Sequence, residues 1–211
     1  FTDPGAKTVD SAAFDLSATA DSGETVTFAV DVQSAAVCSV SGARLTIIGA
    51  GSCVVTASAA ASGLYAAGSA SRTFAVTALA PTVTTGAASD ITMSGATLAA
   101  TVNANGASTT TKVEYSSDAA LADAKSVDVT GSQTGIAASS VSATVTGLTP
   151  GATYYYRFAA TNQIGSTQGT IKSFTVKGAK PVVSTGSVTP SATKATLNGK
   201  VNPSELETCL L

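Results

Sequence analysis

Pro81-Thr-Val-Thr-Thr-Gly86 returns near residue 181 as Pro181-Val-Val-Ser-Thr-Gly186, and Ala96-Thr-Leu-Ala-Ala-Thr-Val-Asn103 returns as Ala195-Thr-Leu-Asn-Gly-Lys-Val-Asn202. Two blocks recurring at nearly the same spacing mark a tandem array with a period near 100 residues, one domain per period. Each block alternates apolar and hydroxyl residues, the period-2 pattern of a strand with one face buried and one wet. The array is therefore read as all-β, with sandwich-sized units.

The same alternation runs outward in both directions. Phe14, Leu16 and Ala18 share a face, as do Val26, Phe28 and Val30. Further strands are predicted over Ala36–Val40, Arg44–Ile48, Ser52–Ser58 and Arg72–Thr77, broken by Asp-Ser-Gly, Ser-Gly-Ala and Gly-Ala-Gly. Between the repeat blocks, strands are predicted over Val83–Thr85, Ala96–Asn103, Thr110–Ser116, Ser126–Val129, Val141–Leu148, Thr153–Asn162 and Gly169–Val176. Seven strands in about a hundred residues is the count of an immunoglobulin-type sandwich. β-branched residues and Gly interrupt every helical candidate, and Gly63 and Gly68 make the Ala-rich stretch 57–67 a loop. The units are set at 1–79, 80–178 and 179–211, the last holding only two strands of its repeat. The linkers Ala78-Leu-Ala-Pro81 and Lys177-Gly-Ala-Lys-Pro181 are short and end on proline, which restrains itself and its predecessor, so the array is expected to behave as a jointed rod. The chain opens on Phe1 without an initiator Met, and the last repeat stops early. It is expected to be a stretch of something longer.

Composition narrows the function. Charged residues make up 11%, against about 25% in ordinary domains. Net charge is −3 over residues 1–79, zero over 80–178 and +1 over 179–211, so no basic face exists for nucleic acid. Histidine is absent, which removes the commonest general base and the commonest metal ligand. No apolar run approaches the roughly 20 residues that cross a bilayer. A non-enzymatic protein without cofactor or membrane insertion is expected. The acidic residues Asp3, Asp10, Asp15, Asp21, Glu24 and Asp31 form no closely spaced oxygen cluster for calcium and are read as a solvated face.

Val145-Thr-Gly-Leu-Thr-Pro-Gly-Ala-Thr-Tyr154, followed by Tyr156, Phe158, Ala160 and Asn162, resembles the second half of a fibronectin type III domain. The resemblance implies that Leu148 plugs the core, Pro150-Gly151 turns the chain, and Tyr154 returns its hydroxyl to the backbone as a tyrosine corner. The early core Trp of many members is missing, and Tyr115 or Phe174 is expected to fill its volume. Residues 1–79, with Phe14-Asp-Leu-Ser-Ala-Thr-Ala20, Val26-Thr-Phe28, two cysteines and Tyr65, resemble bacterial Ig-like repeats. That resemblance implies a large secreted or surface-attached bacterial protein, an adhesin or stalk, and no chemistry.

In that context Cys38 and Cys53, each on the inward face of its strand, are a disulfide candidate. Two buried free thiols are the alternative. Cys209 has no partner by this reading. Tyr155 and Arg157 alternate outward and could meet a sugar ring or a protein, although a single exposed Tyr on a sheet is ordinary. Lys112 with Asn162 beside Glu114 has the residue types of an isopeptide crosslink, but Lys112 alternates to the outer face. The leading reading is a spacer or adhesion module whose partners are neighbouring repeats, a cell-surface glycan or protein, or copies of itself. The alternatives are an accessory region of a secreted polysaccharide-degrading enzyme and a strand-exchanging subunit of an extracellular filament or phage tail.

Overall fold

The computed structural model describes residues 1–202; Cys209 and the remainder of 203–211 lie outside the described residues. Apart from one 3-10 turn, its regular elements are strands, and no helix among the described residues is long and apolar enough to cross a membrane.

The strands up to residue 77 are β1 (Lys7–Thr8), β2 (Phe14–Asp15), β3 (Thr27–Val30), β4 (Cys38–Ser41), β5 (Arg44–Ile47), β6 (Gly51–Ala59) and β7 (Gly68–Thr77). They form two sheets, ordered β1-β7-β6-β3 and β2-β5-β4, in an immunoglobulin-like sandwich. Leu16, Leu45, Ile47, Val55, Phe74 and Val76 fill the space between them. Cys38 and Cys53 come from opposite sheets and are joined, with Cα atoms 6.0 Å apart, so the alternative of free thiols does not hold. β1 was not foreseen from the alternation: it pairs parallel to β7 over two residues only. The strand expected over Ala36–Val40 starts at Cys38 instead. Asp31 caps a 3-10 turn over Val32–Ser34 by accepting the Gln33 N–H, and buried Ser34 donates to Ser52 O and accepts the Val54 N–H. The side-chain bonds of Asp31 and Ser34 compete with the ladder for the backbone there.

The second sandwich uses β8 (Thr82–Ser89), β9 (Gly95–Asn103), β10 (Thr110–Ser116), β11 (Lys125–Asp128), β12 (Ala138–Thr146), β13 (Thr153–Thr161), β14 (Ser166–Gln168) and β15 (Lys172–Thr175). One sheet is β12-β9-β8. The other is β11-β10-β13, with β14 and β15 both pairing to β13. The last strand, expected from Gly169, begins only at Lys172, and β14 precedes it; Gly169, between the two, lies close against β8. Thr85 Oγ1 accepts the Phe158 N–H at 3.3 Å, and a Cβ on Gly169 would stand 2.4 Å from that hydroxyl. Only glycine allows this approach. The volume left by the absent Trp is taken by an aromatic group rather than one ring: Tyr154 and Tyr156 pack on Phe174 at 6.1 and 5.8 Å, and Tyr115 on Tyr154 at 6.4 Å.

The repeated segment folds as a hairpin of β16 (Val182–Pro190) and β17 (Ala195–Asn202). Its register shifts between Thr185 and Val188, as that of β8 and β9 shifts between Thr85 and Ala88. Leu98 is fully buried, whereas its counterpart Leu197 is 80% exposed.

Two stability predictions follow from this packing. The disulfide closes a loop of 15 residues, worth about 3 kcal/mol in the chain-entropy treatment. Reduction should lower the melting temperature of the first sandwich by roughly 10–20 °C. Four of the five tyrosines lie in the second sandwich, so the tyrosine-fluorescence transition should stay in place while the calorimetric one moves. Equal shifts in both would show that the bond does not act locally. Thr111 Oγ1 is buried with no hydrogen-bond partner among the described residues. Thr111→Val should therefore stabilise the second sandwich by about 1 kcal/mol in urea denaturation, and a loss of stability would mean that the hydroxyl has a partner.

Candidate functional site

Sandwich loops gather at the two ends, and the end of the second unit that faces the first holds a set of polar side chains whose partners are on the linker. Asn105, in the turn after β9, has φ +50°, a left-handed conformation that Asn tolerates. Its N–H is accepted by Asn103 Oδ1 at 2.9 Å, and Asn103 Nδ2 donates to Ile136 O at 2.9 Å. So fixed, Asn105 donates from Nδ2 to Ala80 O at 2.7 Å and accepts the Leu79 N–H on its backbone carbonyl at 3.0 Å.

Asn162, in the turn after β13, completes the clamp. Its Oδ1 accepts the N–H groups of Ile164 and Gly165, which orients the amide, and its Nδ2 donates to Leu79 O at 2.9 Å and to Ala104 O at 3.2 Å. Asn162 is thus engaged by the linker, and Lys112 is paired with Glu114, so the two are not arranged for an isopeptide bond. Apolar contact closes the joint. Leu79 and Ile136 pack against the core of the first sandwich, and Pro81 is fully buried. Gly106 has φ +82°, and a Cβ there would stand 2.8 Å from Val9 Cγ1 and 3.0 Å from Ala50 Cβ. Here too a side chain would push the surfaces apart. At the next linker Lys177 N–H donates to Thr92 O at 3.0 Å, and Pro181 is exposed.

The outward residues of β10 and β13 form a charged row. Glu114 accepts from Lys112 Nζ at 2.8 Å and from Arg157 Nε at 2.9 Å. The Lys112 hydrogen bond, aided by Arg157 and opposed by partial burial, holds the Glu114 carboxyl below the usual carboxylate range. Arg157 is therefore engaged within the sheet, and Tyr155 beside it is half-buried between Ser116 and Ser173. Leu148 is buried in the core. Tyr154 accepts the Thr149 N–H on its hydroxyl at 3.3 Å, and that bond lowers its phenol below the ordinary value. Tyr156, whose phenol burial pushes upward, donates to Gly86 O at 2.9 Å across the two sheets. Alternation along β13 placed Tyr156 inside, but its partner was not foreseen. The signal was Gly86 itself, the glycine of the repeated block, where the β8–β9 register shifts.

Four of the six acidic residues of the first unit, Asp3, Asp10, Asp15 and Asp31, serve local structure. Asp3 accepts the Gly5 N–H, Asp10 the Thr8 hydroxyl, and Asp15 an exposed ion pair from Arg44.

No family model and no curated protein matches the chain. Among solved structures, the sensor domain of the anti-sigma factor RsgI4 of Pseudobacteroides cellulosolvens is similar at 21% identity in its long and short forms. These cover 46% of this chain and 89% and 94% of theirs, with TM-scores of 0.33 and 0.36. Domains A168–A170 of titin are similar at 17% identity, over 73% of this chain and 55% of that one, with a TM-score of 0.33. The sandwich assignment rests on the strand pairing described above.

Proposed function

We propose that this chain is a non-enzymatic spacer segment of a secreted or cell-surface bacterial repeat protein, holding what it carries at a set distance and angle. In this reading residues 1–79 are a bacterial Ig-like unit, 80–178 a fibronectin type III-like unit, and 179–211 the first part of a second such unit. Its constant partners are the neighbouring repeats.

The observation that carries the reading is the clamp on Leu79 and Ala80. A flexible tether needs no side chains dedicated to its carbonyls, whereas here Asn105 and Asn162 both donate to them. A fully buried carbonyl left unpaired costs about 1–3 kcal/mol and a half-buried one less, so swinging the first sandwich away is resisted by both polar and apolar terms. The disulfide supports an oxidising compartment, outside the cytoplasm. Low charge and a hydroxyl-rich surface suit a spacer that carries no chemistry of its own.

A second reading, self-association, is favoured by one observation: Val182, Val183, Val188 and Leu197 are exposed on a two-stranded hairpin. Light scattering that rises with concentration and is lost on Leu197→Ser would support it; a monomer throughout would remove it.

Residual dipolar couplings test the rod. Both sandwiches of the native chain should fit one alignment tensor, and Asn105→Ala with Asn162→Ala should split it into two while each unit keeps its own amide spectrum. Two independent tensors in the native chain would end the spacer reading, because the joint would then transmit no orientation.

A further inference from the structure

We infer that the far end of the first sandwich, opposite the joint, is a binding cleft for a neutral sugar ring. The basis is a gradient in inward side-chain size that two segments share. After β2, inward positions run Leu16, Ala18, Ala20; along β6 they run Val55, Ala57, Ala59, from the joint toward the tip. Interiors are ordinarily packed with few voids larger than a water molecule. Here the tapering core leaves an open cleft of about 290 Å³ between the loop 18–26 and the loop 60–67, at the small end of the range for small-molecule sites.

The rim has the right chemistry for one ligand class. Tyr65, 55% exposed, supplies aromatic surface for the C–H face of a pyranose. Asp21 supplies a carboxylate able to accept from two adjacent ring hydroxyls, and Thr19 and Ser69 add hydroxyls that donate or accept. No Lys or Arg is among the lining residues, so a phosphate or an acidic sugar would find the Asp21 carboxylate unopposed and is disfavoured. The turn Ser62–Tyr65, closed by reciprocal backbone bonds of 3.0 and 2.9 Å, holds Tyr65 at the rim and leaves neighbouring Leu64 fully in solvent. The inference adds a binding role to the rod and does not depend on it, since the cleft and the joint lie at opposite ends of one sandwich.

The test is a titration of the full chain, followed by amide chemical shifts. The probes are methyl pyranosides of glucose, galactose, mannose and N-acetylglucosamine, with N-acetyl-arginine amide as a cationic competitor. At least one sugar should bind with a dissociation constant on the order of 1 mM, as a single ring in a small cleft would. Its shifts should be confined to residues 18–22, 57–59 and 65–70. Tyr65→Ala, at an exposed position, should weaken binding at least tenfold. Ala59→Leu should abolish it while raising the melting temperature, because the new side chain fills the void. The inference is overturned if no sugar shifts these amides, if the arginine probe does so in preference, or if the folded Tyr65→Ala variant binds unchanged.

Discussion

A linker half-buried between two sandwiches does best with its backbone polar groups paired, and that constraint organises the best-defined contacts in this chain. Leu79 and Ala80 leave the first core with a donor and two acceptors that β7 no longer serves. Two turns of the second unit, one after β9 and one after β13, converge on them. Each is shaped for the purpose: Asn105 takes a left-handed backbone conformation, Asn103 holds it there, and Asn162 folds its own turn over Ile164 and Gly165 before reaching the linker. Loss of either asparagine would leave a half-buried acceptor without its side-chain donor, while Gly106 sets how closely Val9 and Ala50 can approach. Hydrogen bonding and apolar packing thus meet at the same joint.

The two sandwiches close their cores by different means. In the first, β1 and β2 pair over only two residues each, and the disulfide between β4 and β6 ties sheet to sheet. The second has longer ladders and an aromatic group in place of the bond, with the Tyr156 hydroxyl reaching Gly86 across the core. The covalent tie joins the sheets at Cys53, three residues into β6, on the joint side of the alanine-lined tip. Without such a tie, the second unit keeps Leu98, Val102, Val113, Val145 and Phe158 fully buried.

Strands were legible in the sequence because alternation is a local property, and it located β3, β5, β6, β9, β10, β12 and β13 closely. It failed where a side chain took over the backbone's hydrogen bonds. Asp31 and Ser34 build a 3-10 turn just ahead of the strand expected from Ala36, which starts at Cys38, and Gly169, expected to open the last strand of the second unit, lies instead against Thr85 more than eighty residues away. The joint was illegible for the same reason. Asn162 and Leu79 are 83 residues apart, and nothing about an asparagine in a turn announces that its amide will be spent on a distant carbonyl. Cys38 and Cys53 were readable because both alternate inward and lie close in sequence. The charged row was half readable: alternation put Arg157 outside, but not that Glu114 would engage it.

The repeated hairpin separates local from tertiary causes within one molecule. β8–β9 and β16–β17 share their register and the position of its shift, though Val83 is 9% exposed and Val183 66%. Burial therefore cannot be what sets the shift. The residues common to both copies, above all the glycine where the ladder slips, are sufficient to place it. What burial adds is free energy: a Leu such as Leu98 gains about 1.5–3 kcal/mol on leaving water, and Leu197 gains little of it. A two-stranded hairpin is marginal by itself, so the geometry of each repeat is written in its first two strands while its stability comes from the sheet packed over them.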